Sequence, residues 1–217
     1  MRLLLPALSI LLAVPAAAQI TTLLPVDQAA IDPTFITFRG RLLTALVARD
    51  TADVLSAFDP AARLSFGDAP GGPDGVRQMW LGEEHPPGED LWTVLARVVA
   101  TGSVRSEAGD VVTAPYVFDG FPQNLDPFGH AAVVGENVRV RVAPRLDSEI
   151  LDVLTYAVLP VTEWGVEGAA RRWHKVRLAD GREGYVAAEY LWSPINYRVG
   201  FQKTDGRWRI TFFVAGD

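Results

Sequence analysis

The chain has 217 residues, 49% of them hydrophobic and 21% charged, with no cysteine and a formal net charge of −6. That much apolar surface supports a sizeable core and excludes a disordered chain. The acidic balance argues against phosphate backbones and anionic lipid as partners, and the missing cysteine removes disulfides and every thiol mechanism.

The first eighteen residues read MRLLLPALSILLAVPAAA. Arg2 supplies a positive start, Leu3 to Val14 a short apolar run, and Ala16, Ala17 and Ala18 the small residues of a cleavage site. This pattern predicts a secretory signal over 1–18, with Gln19 as the mature N-terminus. The run is short for a bilayer span. Cleavage removes one of the 20 basic side chains and none of the 26 acidic ones, so the net charge moves from −6 to −7. An exported, thiol-free chain held by its core fits a bacterial periplasm, and the mature protein is expected to be soluble.

From Pro33 onward Phe35, Phe38, Leu42, Leu43 and Leu46 recur at helical spacing. Asp50 fits the N-cap of a second helix carrying Val54, Leu55 and Phe58, ended by Asp59-Pro60. The run ARLSF predicts a brief strand with Leu64 and Phe66 on one face. A third helix starts near Asp74 and carries Val76, Met79 and Trp80. A fourth carries Leu91, Leu95, Val98 and Val99, with Gly102 just beyond it. Past residue 103 the period shortens. DVVTAPYVF reads as a strand, and Pro115 inside it suggests an edge position.

The β signal then becomes continuous. Val138, Val140 and Val142 alternate with Arg139 and Arg141, and two further strand runs follow. In WHKVRLADGREGYVAAEYL, residues 173–191, Trp173, Lys175 and Arg177 share one strand face, and His174, Val176 and Leu178 the other. Asp180-Gly181 suits a tight hairpin. Gly184 suits a close approach of two strands, and AAEYL a single turn before a closing strand. A small five-stranded barrel buries this many short strands without long free edges.

The segment from about 133 to 193 resembles a bacterial SH3 domain of the SH3b type. Val140, Arg141 and Pro144 match that family's Asn-Val-Arg-Ser-Gly-Pro opening, while Arg139, Val142 and Ala143 depart from it. Trp173, Lys175, Val176, Gly184, Val186, Tyr190 and Leu191 match its closing pattern, with Tyr185 in place of the usual Trp. The resemblance implies binding to cell-wall peptide, peptidoglycan or an envelope protein. It also implies an aromatic groove, for which Tyr156, Trp164, Tyr190 and Trp192 are the ligand-binding candidates. Trp164 and Trp192, at strand or loop ends, are favoured over Trp173 and Tyr185, which are expected in the core. Arg171, Arg172 and Lys175 form a basic cluster that either meets peptide carboxylates or is a solvated strand edge, the second being favoured.

The helices with ARLSFG and PDGVRQMW resemble the start of an NTF2-like domain. The final run, NYRVGFQKTDGRWRITFFVAGD, predicts a hairpin about Asp205-Gly206, with Trp208, Ile210 and Phe212 on one face. An isolated hairpin is marginal in water, so these aromatics need the helical domain as a partner. The expected architecture is therefore an α+β domain over 19–132, an SH3-like five-stranded all-β barrel over 133–194, and a C-terminal β-hairpin over 195–217 packing back on the first domain.

No nucleophile motif of the G-x-S-x-G or S-x-x-K kind is present. His85, His130 and His174 lack metal-ligand spacing. Glu83, Glu84, His85, Glu89 and Asp90 read as a solvated loop rather than a metal site, and GDAPGGPDG fits neither a calcium nor a phosphate loop. The expectation is a non-enzymatic periplasmic binding protein with no catalytic residue, metal or cofactor. One alternative is a carboxylate-dependent peptidoglycan lytic enzyme using Glu89, Asp90 or Glu107. An NTF2-like pocket would direct attention to Asp68 and His85. A purely structural barrel that binds its own helical domain is the remaining alternative.

Overall fold

The computed structural model describes residues 21–82, 90–168 and 171–216. The predicted signal segment and the loop residues Glu83, Glu84, His85 and Glu89 lie outside them. In chain order the elements are β1 (Thr21–Thr22), α1 (Pro33–Ala48), α2 (Thr51–Ser56), β2 (Phe58–Arg63), α3 (Gly72–Trp80), α4 (Leu91–Ala100), β3 (Val104–Arg105), β4 (Val111–Ala114) and α5 (Tyr116–Gly120). There follow β5 (His130–Val133), β6 (Val138–Arg141), β7 (Ile150–Leu154), β8 (Ala157–Glu167), β9 (Arg172–Arg177) and β10 (Glu183–Ala187). A 3-10 turn at Ala188–Tyr190 leads into β11 (Leu191–Trp192), and β12 (Arg198–Thr204) and β13 (Arg207–Val214) end the chain. The molecule is α+β, with mostly antiparallel sheets.

Local chemistry sets the helix starts. The Asp32 carboxylate accepts from Thr34 N at 2.8 Å ahead of Pro33, which opens α1. Asp50 accepts from Asp53 N at 3.0 Å to start α2, and Asp90 from Thr93 N at 3.0 Å to start α4. Each cap satisfies an amide that the helix itself leaves free. Arg49 closes α1 in the left-handed conformation at φ 53°. The buried faces are Phe35, Leu42, Ala45 and Leu46 on α1, and Leu91, Leu95, Val98 and Val99 on α4.

One sheet has the order β2-β13-β12-β4-β3. Asp205 and Gly206, at φ 52° and 75°, turn the β12–β13 hairpin. Its strand β12 pairs with β4 (Val199 opposite Ala114), and β13 runs parallel to β2. Three expectations are corrected here. The strand expected at ARLSF lies earlier, at Phe58–Arg63, and Phe58 belongs to it rather than to the helix before it. Pro60 is tolerated because β2 is the sheet edge, and Phe66 is left exposed. The strand before Pro115 is not an edge: β4 lies between β12 and β3, and the proline sits just past its last residue. On β13, Trp208 and Ile210 point inward, but a register shift hands the next inward position to Phe213. Phe212 instead covers Gly200, where a Cβ would stand 2.0 Å from its ring.

The other sheet has the path β11-β5-β8-β9-β10-β6-β7, with β1 paired to β8. It therefore has more strands than the five expected, begins at His130, and takes in Thr21 and Thr22. The eleven-residue β8 serves two sets of neighbours: Ala157 to Pro160 pair with β1 and β5, and Val161 to Glu167 pair with β9 across two register shifts. Another shift, between Val140 and Arg141, breaks the expected Val/Arg alternation. Arg141 is buried and donates to Ser148 O at 2.6 Å, while Val142 is exposed. Gly184 is needed where it stands, since a Cβ there would lie 2.6 Å from Val140 Cγ1.

Each sheet has its own core. The first gathers Phe35, Phe58, Trp80, Tyr116, Phe201, Trp208 and Phe213 among aliphatics from the helices. The second is built from Ala, Val and Leu alone, including Val140, Leu159, Val176 and Val186. Ala132, Val158 and Trp192, from strands of the second sheet, pack into the first core.

Candidate functional site

A cleft of about 660 Å³ lies where α4 faces the β8–β9 hairpin. From α4 it takes Thr93 and Arg97, with the capping Asp90; from the hairpin it takes Trp164, Arg172 and His174. Trp192 at the end of β11, with Asn196 and Tyr197 on the chain leading to β12, completes it.

Gly165, at φ 69°, shapes the hairpin wall. A Cβ on it would stand 2.9 Å from the Arg172 guanidinium, so its absence lets that side chain lie over the strand. The Gly165 amide donates to His174 Nδ1 at 3.0 Å. The imidazole therefore keeps its proton on Nε2. Burial first, then the charges of Arg172 and Arg97, pull the His174 pKa from 6.5 down to about 4. The Trp164 ring meets this neutral imidazole edge-on, with centroids 4.9 Å apart at 70°. Trp164 is held there yet remains 41% exposed, an apolar plate open to solvent.

The opposite wall is anchored by Arg97. Its guanidinium lies 4.5 Å from the Trp192 ring centroid and donates to the carbonyl oxygens of Ala188 and Glu189. The Glu189 carboxylate in turn pairs with Arg171. Helix α4 thus grips the 3-10 turn of the second sheet. Burial works against ionisation of Asp90, but bonds from the Thr93 amide and hydroxyl, with the charge of Arg49, hold its carboxyl below the usual range. A carboxyl so held is a poor proton donor, the reverse of what a lytic general acid needs.

The four aromatic candidates separate. Trp164 projects into the cleft. Trp192 reaches its back wall but is only 4% exposed and belongs to the first core, so it is a packing residue more than a contact surface. Tyr156 and Tyr190 are not part of the cleft. They flank the turn before β6, where Tyr156 Oη donates to Glu136 Oε1 at 3.3 Å and Tyr190 is 43% exposed beside Gly135. Trp173 is buried and Tyr185 partly buried, neither within the aliphatic core. His174, packed against Trp164, also lines the cleft. The basic trio is largely paired within its own module, Arg171 with Glu189, Arg172 with Glu167 at 3.5 Å, and Lys175 with Glu183 at 2.8 Å.

Asp68 and Glu107 lie in exposed loops outside the cleft. Among the described residues, no group of three His, Asp or Glu side chains gathers as a metal site. Arg97 and Asn196 are cleft residues that sequence reasoning missed, while Asp90, named there as a loop acid and lytic candidate, caps α4 at the cleft. Each of the two joins the site through contact between distant segments, which no local spacing in the sequence marks.

Nothing among curated proteins or solved structures matches the chain, and no comparison supports the NTF2-like resemblance. Residues 136–191, from the turn before β6 to the first residue of β11, match the family model of the bacterial SH3 domain, and this segment of the chain is such a domain.

Proposed function

We propose that the protein is an exported, non-enzymatic binding protein whose SH3 domain, together with α4, holds cell-wall peptide. The observation that carries this reading is the open Trp164 plate, fixed by His174 in a cleft that also offers Arg172, Asp90 and Asn196. Arg172 suits a peptide carboxylate, Asp90 an amine, and Trp164 the apolar faces between them. The pairing of Arg172 with Glu167 is long and exposed, so a ligand carboxylate can replace it at small cost. Export to a periplasm rests on the Arg2 to Ala18 pattern.

Cosedimentation with purified peptidoglycan tests the reading. The wild-type protein is expected in the pellet without clearing the substrate on a zymogram. Trp164→Ala should lower retention about tenfold, the size of one lost aromatic anchor, and Tyr190→Ala should leave it unchanged. A soluble wild type, or retention indifferent to Trp164, would overturn the assignment, and clearing would favour the lytic alternative. A second reading, a structural role for the domain, draws on the Arg97 grip and on Trp192 within the first core. It predicts normal folding and no pelleting.

A further inference from the structure

A second cleft, of about 940 Å³, opens between α1, α2, β2 and the β12–β13 turn. Its apolar lining includes Phe38, Leu42, Leu55 and Trp208. The Trp208 indole is pinned by donating Nε1–H to Thr34 Oγ1 at 3.0 Å, so this part of the lining is rigid. Arg41, Arg207 and Arg209 also line the cleft, against a single carboxylate, Asp53. Local charge is thus positive in a chain whose net charge is −6.

The state of these arginines separates them from others on the surface. Arg39 forks onto Asp27 at 2.7 Å, and Arg177 meets Glu183 at 3.0 Å. The Arg41 and Arg207 side chains have no ion pair, hydrogen bond or ring contact among the described residues, and Asp53 forms no ion pair with either. Arg209 donates to Phe58 O at 3.5 Å, which braces the β2 edge of the cleft. Two uncommitted guanidinium groups therefore share a cleft with a rigid aromatic and aliphatic lining. The volume falls in the range of about 300–1,000 Å³ typical of small-molecule sites.

We propose that this cleft binds a single-tailed organic anion, its carboxylate or phosphate held by Arg41 and Arg207 and its hydrocarbon portion on Phe38, Pro60 and Pro73, the apolar lining residues that are not buried in the core. Arginine is suited to the headgroup because its planar fork matches both oxyanions. The tail supplies the apolar area and the headgroup the orientation, so neither half alone binds well. The site is separate from the Trp164 cleft and shares no lining residue with it.

Calorimetric titration of the full chain with octanoate and with octyl phosphate tests this, using 1-octanol and acetate as tail-only and head-only controls. Saturable one-to-one binding of octanoate or octyl phosphate is expected, about tenfold or more tighter than either control. Arg41→Ala with Arg207→Ala should weaken it about tenfold, while the paired lysine substitutions should keep most of it. Ser56→Trp, placing bulk on the rim from α2, should block binding, and Trp164→Ala should leave it intact. No saturable binding of either anion would overturn the proposal. So would octanol binding as tightly, or affinity unchanged in the double alanine variant.

Discussion

The two cores of this chain solve the same burial problem with different side chains. Around the first sheet, helices cross strands at uneven distances, and large rings fill the gaps. Phe35 stands edge-on to Phe201 and Trp208 at 5.3 and 5.0 Å, and Trp80 stacks on Phe213 at 5.2 Å. Around the second sheet, Val, Ala and Leu form the core cluster without a ring. The rings lie outside that cluster, Trp173 buried apart from it. Trp164 and Tyr190 are exposed, and Trp192 is given to the neighbouring core. Kept out of the aliphatic cluster, Trp164 instead lines the cleft beside α4.

Substitutions in the two cores should break the comparison most strongly. Phe201→Ala should cost about 3–5 kcal/mol and Leu159→Ala about 2–5 kcal/mol in chemical unfolding, with the aromatic site the more sensitive. Equal losses, or a larger one at Leu159, would deny that the rings carry the first core. Next is the joint between the regions. Arg97→Met keeps the stem but removes the bonds to Ala188 and Glu189, for a loss of about 1.5–3 kcal/mol. Calorimetry should then resolve two transitions where the wild type shows one; a single unshifted transition would mean that α4 does not couple them.

The smallest effect sharpens the contrast through pH. With the His174 pKa at about 4 in the folded chain and 6.5 as its ordinary value, the unfolded chain binds more protons between those limits. The stability contributed by neutral His174 is present above pH 6.5 and is lost as pH falls toward 4. After solvent screening this should amount to about 1–2 kcal/mol. His174→Gln should flatten that slope in melts taken across pH 4–7, and an unchanged slope would assign it to other groups.

Much of the architecture was legible because its signals are local. The start of α2 follows from Asp50 before an apolar period, and the hairpins from Asp180-Gly181 and Asp205-Gly206. The SH3 segment could be read from Val140, Trp173 and Gly184 in order. What escaped was decided by register and long-range contact. The shift at Val140/Arg141 turns an arginine inward, and the shift on β13 exchanges Phe212 for Phe213. Neither leaves a trace in a period-two pattern. The site was legible only in part for the same reason. Trp164 could be picked from its place beside Gly165, whereas Trp192 looked equivalent in sequence and is buried by α4, a partner about 100 positions earlier.

The pairing of Val199 with Ala114 bears on how the chain is made. A growing polypeptide emerges in order, so β4 waits for its neighbour β12 until the whole SH3 segment has been produced. If that segment folds first, it draws the two waiting strands together and shortens the effective loop they must close. Folding in that order would make the domain an internal splint for the sheet whose strands lie on either side of it in the sequence.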